Sequence, residues 1–406
     1  MWRNLSAHEK NETEFLADAV DRVLRDRGLR HLADRTLHDE AMVEPLVADA
    51  LRTPQSPRHH AEGPFVEDHL LLMSQVLSAV LGEKLHLVDV EEFAALKGFE
   101  GEIEELEETI KENAALYEAF VLCHDAPKWA TVCFDAPEGS GGRAAGFVAD
   151  AWAHRHDMGI SERAKFRTRY SSMYETFRLE RPELSSVETQ RQFYATYGID
   201  VHYAGHDRAI HSPVYRALLE RVASRRRLPP RDADLLETLI AHHMDPIADF
   251  ASSNPAAILR YHALAAKHGY DADDFVDLLQ GCLFLDTVCA SRPRVDGRVS
   301  NDPTVLINFL RSEHDFAPWR RAEKERVRED KKKRARNVLF REAGLDGVGL
   351  MDVLGMDPGP KFGKVLATIQ AAIVDGTEIP KFTKAIDAEI EKRIDAYFKL
   401  AFPSGE

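Results

Sequence analysis

Apolar residues recur along most of this chain at intervals of three and four, the spacing that gathers side chains on one face of an α-helix. Over residues 11–30, Phe15, Ala19, Val20 and Val23 share a face, and a second amphipathic helix is predicted near 39–52. A polar, proline-rich connection, TPQSPRHHAEG, follows. Pro64 then opens a helix with Glu67 and Asp68 in its first turn, where carboxylates meet the positive end of the helix dipole. Val66, His69, Leu70, Met73, Leu77 and Val80 line one side of this helix, so His69 points inward. Helix is predicted again over 102–123, acidic at its start (EIEELEE) and apolar at its end (AFVLC), then over 161–197 and from Ser212 to Ser224. Beyond Pro229 and Pro230, Leu235, Leu236, Leu239 and Ile240 lead to His242 and His243. Within 271–291, Leu279, Cys282, Leu283 and Asp286 stand at i, i+3, i+4 and i+7, which puts a carboxylate on an apolar stripe. No run of strand-like alternation interrupts the series, and the predicted fold class is all-α.

At 406 residues the chain exceeds one typical core. The expected organisation is an N-terminal helical extension (1–60), a central helical domain (61–315) with an insertion at about 134–200, and a C-terminal helical tail (316–406). Inside the insertion, FDAPEGSGGRAAGFVAD reads as a flexible loop. It has no preceding strand and no following GKS or GKT, so a phosphate-binding P-loop is not expected. His59 and His60 in the connection, and His154 and His156 in the insertion, read as surface residues.

The net charge of -15 opposes general attachment to nucleic acid. Trp319 to Arg341 departs from it: eleven Lys and Arg against four acids leave +7 in one predicted helix. That helix is either a solvated face or a platform for RNA. The four cysteines, Cys123, Cys133, Cys282 and Cys289, form no CxxC pair, as suits a reducing compartment. The N-terminus lacks the apolar core of a signal peptide, and no uncharged apolar run approaches the roughly 18 residues of a membrane span. A cytoplasmic protein with no membrane partner is expected.

The chemistry concentrates at AFVLCHDAPKW, residues 119–129. His-Asp occurs five times, at His38, His124, His156, His206 and His314, so the dipeptide alone says nothing. His124 and Asp125 differ in closing a buried helix. There a neutral imidazole can give nitrogen to a divalent cation and a carboxylate can bridge two. Lys128 follows three residues later. Along the chain the candidates are His69, His124 with Asp125, His206, His242 or His243, and Asp286. A buried Asp286 needs a partner: an arginine, with Arg292 and Arg294 nearby, a hydrogen-bond network or a cation.

That order resembles the HD superfamily of metal-dependent phosphohydrolases, all-α proteins that gather such residues around divalent ions. HDAPK, YAGHDRAIHSPVYRALLERV, LLETLIAHHM and LMDVLGMDPGPKFGKVLATIQAAIVDG are similar to the HD region and tail of bacterial tRNA nucleotidyltransferases and poly(A) polymerases. The likeness is discontinuous over about 64–133 and 202–376. It implies one or two ions, Mn, Ni, Co, Fe or Mg: the first on His69, His124, Asp125 and Asp286, the second shared through Asp125 with His206 and His242, or His243 in its place. Lys128 would face the phosphate. The implied activity is metal-dependent hydrolysis of nucleotides or RNA ends, such as 2′-phosphates or 2′,3′-cyclic phosphates, with tRNA a candidate partner for the basic helix 319–341. The alternative is a non-catalytic RNA-binding protein derived from such a polymerase. Those polymerases place an Asp-x-Asp pair after a Gly-Gly or Gly-Ser turn. Here Gly141 and Gly142 have no such pair after them at a suitable distance, so nucleotide addition is not expected.

Overall fold

The computed structural model describes residues 20, 30–82, 90, 97–148, 158–293, 299–342, 351, 355–360 and 362–367. The helix predicted over 11–30 falls outside them except for Val20 and Arg30, as do His154, His156, Arg294 and most of the tail. The chain divides into two compact units, Met1–Phe316 and Ala317–Glu406.

The first unit is all-α apart from two short strand pairs. Its described helices run α1 Arg30–Val43, α2 Pro45–Leu51, α3 Val66–Leu81, α4 Glu100–Glu112, α5 Ala114–Cys123 and the single turn α6 Lys128–Thr131. Strand β1, Val132–Asp135, leads through α7 Gly141–Ala144, α8 Ile160–Leu179 and α9 Ser186–Tyr197 to its antiparallel partner β2, Asp200–Tyr203. Then come α10 His206–Ala209, α11 Pro213–Arg226, α12 Pro230–His242, α13 Asp245–Asp249, α14 Pro255–His268 and α15 Ala272–Leu283. A π-helical turn, Phe284–Val288, precedes the strand pair β3 Ser291–Pro293 and β4 Val299–Asn301. Helix α16, Thr304–Glu342, has Pro318 inside it.

Helix α5 is the hub. Leu116, Tyr117 and every residue from Ala119 to Cys123 are buried, and α3, α4, α11, α12 and α15 pack around it. Burial on most sides explains why its sequence is apolar apart from Glu118, which is partly exposed and pairs with Arg226. Close approach of α15 depends on Gly281, where a Cβ would stand 2.1 Å from the Tyr117 hydroxyl. Glu40 and Glu44, both buried, pair with Arg225 and Arg221 and fasten the N-terminal helices to α11.

Several predicted boundaries move for local reasons. The helix expected at Pro64 starts at Val66, because the Asp68 carboxylate folds back to accept from the Phe65 amide at 3.0 Å and caps the end there. The run 102–123 breaks into α4 and α5 at Asn113, and 161–197 breaks between Leu179 and Ser186. The insertion, read as starting in a flexible loop, carries its own core: Phe134, Phe147, Tyr170, Tyr174 and Phe193 pack together. Its glycine cluster is a packing device, since a Cβ on Gly142 would meet Ile199 at 2.4 Å and the Tyr197 carbonyl at 2.7 Å.

Where α15 meets the start of α16, Gln280 Nε2 donates to Glu313 Oε2 at 2.7 Å. Burial raises the Glu313 carboxyl from its ordinary 4.5 to about 7 against this bond, helped by nearby Asp277 and Glu105. The folded chain thus holds this proton more tightly than the unfolded one. The resulting stabilisation is complete below pH 4.5 and is lost as pH rises to 7. Glu313→Gln is expected to be nearly neutral at pH 5 and stabilising by on the order of 1–3 kcal/mol at pH 8, read as a rise in thermal midpoint. Equal effects at both pH values would contradict the assignment.

Candidate metal centre

Two helices end at the centre of the first unit, and each hands over its histidine in the same way. At each end a carbonyl of the last turn accepts the backbone amide of the capping histidine and the imidazole of the same residue as a second donor. His124, capping α5, donates Nδ1–H to the Phe120 carbonyl at 3.1 Å, and His243, capping α12, donates Nδ1–H to the Ile240 carbonyl at 2.6 Å. Both rings are thereby fixed in the tautomer that leaves Nε2 a bare lone pair facing inward.

Other elements bring the remaining groups. His69 comes from the first turn of α3, with Nε2 3.2 Å from Asp286 Oδ1. Asp286 sits on the π-helical turn, so the carboxylate read as part of an α-helical stripe is presented by a widened turn instead. His206 starts α10 immediately after Gly205, whose φ of +64° turns the chain from β2 into the helix. His202, four residues earlier, lies on β2.

The convergence is close. Asp125 Oδ1 stands 3.5 Å from His124 Nε2 and 3.8 Å from His206 Nε2. Asp286 stands 3.9 Å from both His124 Nε2 and His243 Nε2, through Oδ1 and Oδ2 respectively. His69, His124 and Asp125 form one compact triad of ligand atoms, and Asp125, His206 and His243 a second that shares the carboxylate. Asp125 Oδ2 accepts from Lys128 Nζ at 2.7 Å, and that ammonium also lies 4.8 Å from the centre of the Tyr203 ring.

Electrostatics separate the rings. Burial lowers His124 to about 4, and burial with Lys128 nearby drives His206 well below its ordinary value, so both are neutral at pH 7. Burial also works against charge on His69, but its contacts with Asp286 and Glu62 outweigh it and raise the ring to about 9. Burial opposes the Asp125 charge too, yet His124, Lys128 and His206 hold it well below the carboxylate range. Burial likewise works against the Asp286 charge, which its hydrogen bond from His69 and the nearness of the His243 and His124 rings hold low.

His124 Nε2, Asp125 Oδ1, His206 Nε2 and His243 Nε2 are all buried and have no hydrogen-bond partner. Leaving one such atom unsatisfied costs about 1–3 kcal/mol, so the four together approach the whole stability of an ordinary domain. Neutral imidazole nitrogens and a carboxylate oxygen converging at this range make a set that fits a divalent cation and can hold one.

Of the residues predicted from sequence, His69, His124, Asp125, Lys128, His206, His243 and Asp286 come together. His242 does not. Its Nδ1 lies 2.6 Å from Asp245 Oδ2, and Arg208 binds Asp245 through both carboxylate oxygens at 3.0 and 2.9 Å. His242 therefore ties the α12 end to α10, and the second-ion position predicted for it belongs to His243. The adjacent pair cannot both face inward at the end of one helix. Arg292 pairs with Asp302 at 3.2 Å and is not the partner of Asp286.

The sequence reading missed Glu62 and misjudged His60. His60 Nδ1 meets Glu62 Oε1 at 2.8 Å, His69 Nδ1 lies 3.2 Å from the same oxygen, and neither His60 nor Glu62 is more than 12% exposed at its side chain. The signal available was an acid within a histidine-rich connection just before a helix carrying an inward histidine. The insertion also braces the centre: Arg163 Nη1 donates to the Thr131 and Val132 carbonyls at 2.6 and 2.9 Å, and Arg167 stacks on Trp129, its guanidinium carbon 3.8 Å from the ring centre. A cavity of about 350 Å³ opens onto the cluster, walled by Lys128, His60, Tyr203, His206, Arg292 and Met244 among others.

No family model matches this sequence, and no curated protein or solved structure matches it. Among the described residues no helix is long and apolar enough to cross a membrane.

His243→Ala is expected to weaken Mn²⁺ or Co²⁺ binding at least about 100-fold and His242→Ala by less than about tenfold, read from metal content after dialysis against a range of free ion. The reverse order would contradict the assignment of His243.

Proposed function

We propose that this protein is a metal-dependent phosphohydrolase acting on nucleotides or RNA ends, with 2′-phosphates and 2′,3′-cyclic phosphates as the leading substrates. One observation carries the reading: four buried lone pairs, from His124, Asp125, His206 and His243, converge without partners beside a cavity walled by Lys128. The likeness of the HDAPK, GHD and AHHM segments to the HD superfamily supports the same reaction class.

Each residue has a task. His124, Asp125, His206 and His243 would hold the ion or ions, and Asp286, held beside His69, completes the set. When bound, one or two divalent cations supply Lewis acidity toward a phosphoryl oxygen and toward water. The shared position of Asp125 between the two triads suits a pair of ions as well as one. Histidine-rich sites favour Mn, Ni, Co or Fe over Mg. Lys128 keeps the second oxygen of Asp125 occupied, so Oδ1 alone turns inward, and its ammonium adds positive charge at the wall where an anionic ester would enter. Arg292, more than half exposed, adds another.

The second unit supports an RNA partner. Along α16 the described side chains of Arg321, Lys324, Arg328 and Lys331 are exposed, while Arg326 is held by Glu323 and Asp330 and Arg328 lies 3.8 Å from Glu325. An exposed basic helix on a chain of net charge -15 is a local exception that a polyanion can use.

Purified protein assayed on nucleoside 2′-, 3′- and cyclic phosphates is expected to turn over with Mn²⁺, Ni²⁺ or Co²⁺ and stop with chelator. Asp125→Ala is expected to lower the rate by at least about a thousandfold, the equivalent of several kcal/mol of lost transition-state stabilisation. Turnover that survives Asp125→Ala contradicts the mechanism. Replacing Lys324, Arg328 and Lys331 with Gln is expected to reduce the log–log salt slope of tRNA binding by about 2. An unchanged slope removes the helix as the RNA platform.

A further inference from the structure

The connection 54–63 is held from three sides, and two of the three holds meet at one carboxylate. Toward β3, Ala61 N–H donates to the Ser291 carbonyl at 2.7 Å, and Ser291 N–H donates to Glu62 Oε2 at 2.9 Å. Toward the insertion, Gln190 Nε2 on α9 donates to the carbonyls of His60 and Gly63 at 2.9 and 2.6 Å. Toward α3, Glu62 Oε1 is hydrogen-bonded to His60 Nδ1 at 2.8 Å and stands in ion-pair range of His69 Nδ1 at 3.2 Å. Gln55 Nε2 closes the loop on the Gly63 carbonyl at 3.0 Å.

From this we infer that Glu62 is a positioning residue of the metal centre, which grips His69 by Nδ1 so that its Nε2 faces Asp286 and the other ligand atoms. The inference rests on the metal-centre reading above and goes beyond it in assigning a role to a residue outside the ligand set. His69 lies in the first turn of α3, and its Nδ1 has no carbonyl partner of the kind that orients His124 at Phe120 and His243 at Ile240. The carboxylate of Glu62 fills that place. Glu62 is not a further cation ligand, because both its oxygens already accept from nitrogen: Oε1 from His60 Nδ1 and Gln55 Nε2, Oε2 from the Ser291 amide. That amide lies five residues after Asp286, so one carboxylate fixes His69 directly and anchors the segment that presents Asp286. His60 takes its place at the cavity wall through the same oxygen.

A glutamine cannot replace this carboxylate. With its oxygen toward the two imidazoles, its NH₂ meets the Ser291 N–H. Turned over, it offers NH₂ to the two rings.

The test is a Co²⁺ titration of the full chain, followed by the visible absorption of imidazole-bound cobalt, on wild type, Glu62→Gln and Glu62→Asp, with the thermal midpoint of each ion-free protein measured alongside. Glu62→Gln is expected to bind the same number of ions about 10–100-fold more weakly, with an altered cobalt band. Glu62→Asp keeps the charge and is expected to fall between it and wild type, and it carries the test alone if the glutamine variant does not fold. Wild-type affinity and band shape in both variants would overturn the role, as would loss of one ion equivalent, which would make Glu62 a ligand. Wild type that takes up no cobalt would instead overturn the metal centre itself, a result distinct from failure at Glu62.

Discussion

Two imidazoles clipped to the terminal carbonyls of two buried helices are the constraint on which the rest depends. His124 and His243 add an Nδ1 hydrogen bond to a carbonyl that their own amides already hold, and in doing so commit Nε2 to the interior. The fold then has to tolerate bare nitrogens in a region from which water is largely removed. Hub helix α5 can end this way because Leu116, Tyr117 and Ala119 to Cys123 are buried among five neighbours, and the hydrophobic gain of that packing offsets a polar terminus. The chemistry therefore sits where helix ends converge, and the scaffold is the means of bringing those ends together.

The accessory segments serve the same convergence. The insertion looks dispensable as sequence, yet Arg163 and Arg167 hold the carbonyls of Trp129, Thr131 and Val132 just after Lys128, and Gln190 holds the loop of Glu62. Its aromatic core gives these polar arms a rigid base. The β1–β2 pair joins Val132 to Tyr203 and returns the chain to His206, so the insertion can be long without loosening the ligand that follows it.

Much of this was legible in sequence, and the misses have physical causes. The period of three to four identified the helices, and apolar helices ending in His124–Asp125 and His242–His243 pointed to the right ends. Periodicity could not decide between His242 and His243, because adjacent residues at a helix end differ by about 100° and the outcome depends on Asp245 and Arg208, which are polar and distant in pattern. The π-helical turn at Asp286 has no sequence period of its own. Glu62 escaped because a proline-rich polar segment ordinarily faces water. Here contacts 127 to 229 residues away in sequence, from Gln190 and Ser291, bury it. The short strands β1 and β2 span four residues each, too brief for alternation to register.

The central claim, that the converging lone pairs of His124, Asp125, His206 and His243 hold a divalent cation, is tested most directly by anomalous scattering from crystals grown with Mn²⁺. The account predicts a peak within about 2.0–2.3 Å of Asp125 Oδ1 and of at least two of the three Nε2 atoms. A featureless map at that position, with the nitrogens bridged by ordered water, would contradict it.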